Sequence, residues 1–188
     1  MSQEYASPPT RDALDALLAR CPRLLDWAAA AIIRSPSDSA LRRRLVSLSI
    51  TRAFDAMARS DLDLVLQRYD PGAEVWMTGM AGVGIGGCYR GHEGIRALYA
   101  EVDEAFEAWK WTIRSVVDGG DRLAIRTDFF GVGRGSGIET TVKDGGTAGR
   151  FSARGKVIWQ EWFVEQSGWQ KALEAAGLSR ADRPTRRS

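Results

Sequence analysis

One histidine, two cysteines and six prolines in 188 residues leave little from which a metal centre or a disulfide framework could be built. The lone His92 excludes a His-rich zinc site, while a carboxylate-only magnesium site stays open. Cys21 and Cys88 have neither metal-type nor redox-type spacing, which fits a reducing, cytoplasmic setting. Long apolar runs are missing too: "WAAAAII" falls far short of the roughly 20 residues that a membrane span needs. The start, "MSQEYASPPTRDALD", lacks the basic segment of a signal peptide. Charge of one sign is also lacking, with 26 basic against 24 acidic residues and part of the surplus in "SRADRPTRRS". That is weak ground for nucleic-acid binding. The expectation is a soluble, cytoplasmic protein without cofactor or metal, partnered by neither nucleic acid nor membrane.

What is present is enough apolar residue, 44%, for one domain with a substantial core. Residues 1–9 read as disordered. Thr10 is placed to cap a helix "RDALDALLARC", and Pro22 either breaks it or opens the first turn of "PRLLDWAAAAIIR". From Ala40 the spacing of Leu41, Leu45, Leu48, Ala53, Phe54 and Met57 is helical, and Ser60 is placed to cap "DLDLVLQRY". Strands are predicted over 73–78, 110–118, 122–132, 148–153 and 156–164, with a helix from Glu93 to Ala108 between the first two. "DGGD" and Arg154-Gly155 read as hairpin turns, so the last four strands are expected to be antiparallel neighbours. "WQKALEAAGL" closes the chain as a helix stopped by Gly177. Helices followed by hairpin-linked strands argue for an α+β fold.

"GMAGVGIGGCYRG" contains the letters of a dinucleotide fingerprint at Gly82, Gly84 and Gly87. Three features count against that reading. The fold class is wrong, "CYRGH" separates the glycines from the helix, and the acidic residue expected further on falls near Glu107, inside the helix. A mobile loop acting as a lid is the plainer reading. A second run, "GVGRGSG", lacks a following helix and a Lys-Ser/Thr pair, so it is not a phosphate loop.

"YRGHEGIRALY", preceded by "AFDAMARSDLDLVLQRYDPGAEVWMTG", resembles the SnoaL-like branch of the nuclear transport factor two-like superfamily over roughly residues 40 to 178. The resemblance implies a cone: a curved, mostly antiparallel sheet wrapped around helices, with a pocket at the wide end and often a homodimer through the sheet. Residues 1–38 would then be a helical extension, 39–178 the cone, and 179–188 a disordered basic tail. The superfamily includes epoxide hydrolases, ketosteroid isomerase, polyketide cyclases, dehydratases and non-catalytic binding modules, so fold alone does not choose among functions.

Charged residues that the strand pattern does not explain are the candidates for chemistry. Arg126 and Asp128 project from one face of their strand with Ala124 and Phe130, and Glu161 shares a face with Trp159 and Phe163. Should those faces line the cone, burial and the arginine would split the two carboxylates' pKa values into a base and an acid. The opposite parity puts Leu123, Ile125, Thr127 and Phe129 inside and leaves Arg126 and Asp128 in solvent. Limonene-type epoxide hydrolases carry a similar Arg-x-Asp and a last-strand carboxylate. That resemblance implies Asp128 as base toward water, Glu161 as acid toward the epoxide oxygen and Arg126 as the link. Trp76 and Thr78 fall where those enzymes hold water with Tyr and Asn, and the acid is Glu rather than Asp.

Ketosteroid isomerase chemistry is disfavoured, because its tyrosine and aspartate fall on Ala53 and Met77. A cyclase acid or base remains open for Asp128 or Glu161. Trp76, Thr78, Trp111, Phe130, Trp159 and Phe163 are the expected pocket liners for a small apolar molecule. His92 is read as capping or exposed at a helix start, or else as a base. The alternative to an enzyme is a module that only binds a hydrophobic ligand or dimerises.

Overall fold

Alternation with a period of two decides how the sheet is built. Residues 10–36 and 38–179 are described by the computed structural model; the expected disorder of residues 1–9 and nearly all of the expected tail lie outside them. The strands are β1 (Tyr69–Thr78), β2 (Gly87–Arg90), β3 (Phe106–Asp118), β4 (Arg122–Gly133), β5 (Glu139–Phe151) and β6 (Val157–Phe163). The helices are α1 (Ala13–Arg20), α2 (Pro22–Arg34), α3 (Ala40–Ala58), α4 (Leu62–Leu66), α5 (Gly91–Ala105) and α6 (Gly168–Ala175). The strands form one curved, open sheet in the order β2-β1-β6-β5-β4-β3. β3 through β6 pair antiparallel in sequence, as the turns "DGGD" and Arg154-Gly155 predict, and β1 joins β6 in parallel. The architecture is α+β.

Inward-facing Val75, Met77, Trp109, Ile125, Phe129 and Trp162 meet Phe54 and Met57 of α3, Leu64 to Leu66 of α4, and Ile95, Leu98 and Val102 of α5 in one core. Phe54 packs against Trp162 with ring centroids 5.7 Å apart. α4 is capped by Asp61, not Ser60, and α1 by Asp12, not Thr10. In both cases the carboxylate reaches the N–H three residues on, and an ionised acceptor makes the stronger cap. Pro22 sits at the first turn of α2, where its missing N–H costs nothing.

β5 begins at Glu139, not at 148. Its first half, "ETTVKDGGT", carries no apolar alternation: residues 139–141 and 143 are exposed, and at its end glycines admit α6 onto the outer face. A Cβ at Gly146 would stand 2.8 Å from the Ala172 Cβ and 2.9 Å from the Gly168 carbonyl oxygen. Ala124, Ala148, Phe163, Ala172 and Ala176 make a second, smaller core beneath that helix. The glycine-rich loop after β1 is anchored on both flanks: Met80 and Ile85 are buried, and the glycines between them occupy its exposed tip.

The N-terminal helices lie over the concave side. Asp15 of α1 receives Arg52 at 2.7 Å and Arg59 at 2.9 Å, and Arg11 reaches Asp61 at 2.5 Å. α2 rests on Gly155 so closely that a Cβ there would fall 2.5 Å from the carbonyl carbon of Ala29. Arg42, only 1% exposed, closes the arrangement. Its Nη1 donates to the carbonyls of Ile32, Ile33 and Ser35, its Nε and Nη2 to the Asp118 carboxylate, and its Nη2 also to Gly120 O. Arg42→Ala strands a half-buried carboxylate and several carbonyls and empties a buried site, at a cost of about 3–5 kcal/mol. A thermal melt should show Tm falling by roughly 10 °C; a shift within about 2 °C would mean that the clasp is dispensable.

Candidate functional site

Two adjoining chambers occupy the concave side, and Met57 and Tyr69 line both. The first, with room of about 110 Å³ for the centres of water-sized spheres, is roofed by Leu25, Asp26 and Ala29 of α2 and walled by Ile50, Ala53 and Phe54 of α3. Its floor is the inner face of the sheet at Leu123, Ile125, Thr147 and Gln160. The second, about 40 Å³ on the same measure, is lined by Val75, Met77, Met80, Leu98, Tyr99, Trp109, Trp111, Phe129 and Trp162. Trp111 packs against Trp162 at 4.6 Å and Phe129 at 4.8 Å between centroids, so this end is an aromatic box. The N-terminal helices therefore cover the pocket.

Polar groups gather in the first chamber. The buried Tyr69 hydroxyl donates a short hydrogen bond to Gln160 Oε1, and Gln160 Nε2 donates to Thr147 Oγ1 at 3.2 Å. Burial pushes the Tyr69 phenol well above its ordinary range, so it is a neutral donor at any physiological pH. Arg68 Nη1 donates to Ser49 Oγ at 3.2 Å, while Nε is buried without a partner. Desolvation by burial is the main cause that pushes this guanidinium down to about 10. Lys156 is neutralised by Asp26 and donates to Gln67 O.

The structure does not bring Arg126, Asp128 and Glu161 together in that space. Leu123, Ile125, Thr127 and Phe129 take the inner parity of β4 and are buried, which turns Arg126 and Asp128 outward. Arg126 pairs with Asp144 at 2.5 Å; Asp128 accepts from Arg114 at 2.7 Å and from the Asp144 N–H at 3.1 Å. For Asp128, burial raises the carboxyl pKa, but the Arg114 and Asp144 hydrogen bonds outweigh it and leave the value lowered. Glu161 lies across β6 from the inner Gln160 and Trp162, beside Thr78, whose Oγ1 donates to it at 3.4 Å. Desolvation raises its pKa against that hydrogen bond.

Among the expected pocket liners, only Trp111 lines a chamber. Trp76 is 38% exposed on the outer parity of β1 and Thr78 shares that side. Phe130 lies under Lys110, Trp159 stacks beneath Arg150 at 5.1 Å, and Phe163 belongs to the core under α6. One cause explains these corrections: large residues alternate with equally large ones on β4 and β6, and α6 buries part of the outer face, so hydrophobicity does not mark the inner side. His92 sits in the first turn of α5, its Nε2 3.2 Å from the Tyr69 carbonyl oxygen, outside both chambers.

Ser49, Arg68, Tyr69, Thr147 and Gln160 were not singled out by sequence. Tyr69 reads there as the end of a helix, whereas α4 stops at Leu66 and Tyr69 opens β1. The one available signal was Gln160, a polar residue in step with Trp162.

A family profile described as SnoaL-like domain matches residues 50–160. No curated protein matches the chain. Among solved structures, an NTF2-like protein of unknown function from Burkholderia pseudomallei superposes with TM-score 0.57 at 19% identity, covering 69% of this chain and 95% of its own. TerC, crystallised with polyporic acid, gives TM-score 0.55 at 21% identity, covering 66% and 95%. A candidate SnoaL-like polyketide cyclase from a Jannaschia species gives TM-score 0.54 at 19% identity, covering 73% and 92%. At these identities the likeness is one of fold.

Since the folded-state pKa of Asp128 is depressed, its ion pair stabilises the protein above the unfolded carboxyl value of about 3.9 and stops doing so as pH falls through the lower folded value. Arg114 is mostly exposed, so the effect is about 0.5 kcal/mol. Melts of Asp128→Asn against wild type should differ by roughly 1–2 °C at neutral pH and converge in strong acid. A gap that persists or widens in acid would contradict the pairing.

Proposed function

The chain belongs to the SnoaL-like domain family, and from that premise and the two joined chambers we propose that it is a small-molecule pocket protein taking an apolar, ring-bearing ligand into the cone. The observation that carries this reading is the meeting of an aromatic box with a polar floor at Tyr69. An apolar body fits the tryptophan end, while a few placed donors fix its orientation, the usual division of labour in ligand sites. The binding role is favoured over epoxide opening because the proposed base and acid, Asp128 and Glu161, lie on the outer side of the sheet. Among the described residues lining the chambers, Asp26 is the one carboxylate, and Lys156 holds it.

Isomerase or cyclase chemistry in this cavity has one well-placed group, the Tyr69 phenol. As a neutral, enclosed hydrogen-bond donor, it would steady a developing enolate oxygen. That assignment rests on its position where the two chambers meet, and it requires the single phenolic proton to turn from Gln160 Oε1 to the substrate oxygen.

Small neutral aromatic and alicyclic molecules, up to two fused rings, should quench tryptophan fluorescence saturably. The best of them should raise Tm by roughly 5–10 °C at 100 times its Kd. Ala53→Leu, which fills the first chamber from its α3 wall, should weaken binding by at least ~10-fold, the equivalent of about 1.4 kcal/mol. Undiminished binding by a folded Ala53→Leu protein would place the ligand elsewhere and refute the proposal.

A further inference from the structure

Arg68 is a half-buried cation that no carboxylate pairs with among the described residues, and its Nε is fully enclosed without a partner. Its guanidinium lines the first chamber and makes one side-chain hydrogen bond, to Ser49. Asp15, the carboxylate whose field reaches it, is already shared by Arg52 and Arg59. Lys156, the other cation on the chamber wall, is neutralised by Asp26. A chain that needed Arg68 only for packing would be better served by an aliphatic side chain, since a charge desolvated in part and left unpaired is a cost to folding. The same charge becomes an asset once an anion enters, because the attraction acts in a medium of low dielectric and the guanidinium offers a planar fork of donors.

Building on the pocket reading above, we propose that Arg68 and Ser49 form an oxyanion-holding subsite in the first chamber and that the ligand is an apolar monoanion, a carboxylic acid or a comparably acidic enol. Its charged oxygens lie against Arg68, with the Tyr69–Gln160–Thr147 network beside them, and its ring system extends past Met57 toward Trp111 and Trp162. Uptake exchanges an unmatched charge for a matched one. Ligand binding and local stability are therefore coupled through this one side chain.

The test compares 2-naphthoate with its neutral isostere 2-naphthamide, followed by tryptophan quenching and isothermal titration calorimetry on the full chain. The wild type should bind the acid at least ~10-fold more tightly than the amide. Arg68→Met should abolish that ratio, weakening the acid far more than the amide, and raise the ligand-free Tm by on the order of 5 °C. Ser49→Ala, which removes one hydroxyl, should reduce the ratio in the same direction without loss of fold. Equal wild-type affinity for acid and amide, or a ratio that survives Arg68→Met, overturns this subsite while leaving the apolar pocket standing. Failure of both molecules to bind, together with failure of the neutral panel, removes the pocket reading and the subsite with it. The wild-type ratio decides the matter even if the Met variant does not fold.

Discussion

Everything on the concave side depends on how a helix end is satisfied. The last carbonyls of any helix lack intrahelical donors, and a helix lying over a cavity has no second protein layer to supply them. Arg42 meets that need from the first turn of the next helix, and its remaining donors grip Asp118 and Gly120 at the β3–β4 turn. The end of α2, the start of α3 and the β3–β4 turn, which is far from both in sequence, are thus held by one planar group whose geometry allows little play. The roof of the first chamber is fixed by this clasp at one end, by the contact with Gly155 along its length, and by the Asp15 ion pairs through α1 at the other.

The interior so enclosed is divided electrically. Its aromatic end contains rings and thioethers; its polar end contains the Tyr69 phenol, Gln160 amide and Thr147 hydroxyl in one hydrogen-bonded chain, the Lys156–Asp26 pair, and the Arg68 guanidinium, which donates to Ser49 and leaves Nε without a partner. Carboxylates are plentiful in the chain, yet almost all of those described lie outside the cavity or are paired in the ion network of α1, α3 and α4. This distribution favours recognition over acid–base hydrolysis. It does so through placement, since the residue types needed for hydrolysis are present in the strands and face the other way.

Fold class, the hairpin order β3 to β6 and the existence of the N-terminal helices were legible in the sequence, because periodicity and turn chemistry are local properties. The start of β5 was not, since its glycines answer to α6, an element read from a different part of the chain. The facing of β4 was not either. Leu123 to Phe129 and Ala124 to Phe130 are both apolar enough at their ends to be core, and only the assembled sheet decides between the two parities. Arg68 and Tyr69 were not legible because a charged residue at the end of a short predicted helix looks like any solvated boundary until the elements that enclose it are in place.

The covering of the outer face by α6 has a consequence for how the protein can vary. Where that helix sits, β4 is enclosed on both sides: Ala124 is as completely buried as its inward neighbours, and neither parity tolerates added volume. Two residues on, at Arg126, the outer side meets water while the inner side stays packed, and by Phe130 the outer side is buried again. A single strand thus has outward positions around Arg126 that are freer to vary than the enclosed ones on either side. Lineages of this chain should diverge fastest at those outward positions, while the pocket behind them keeps its shape.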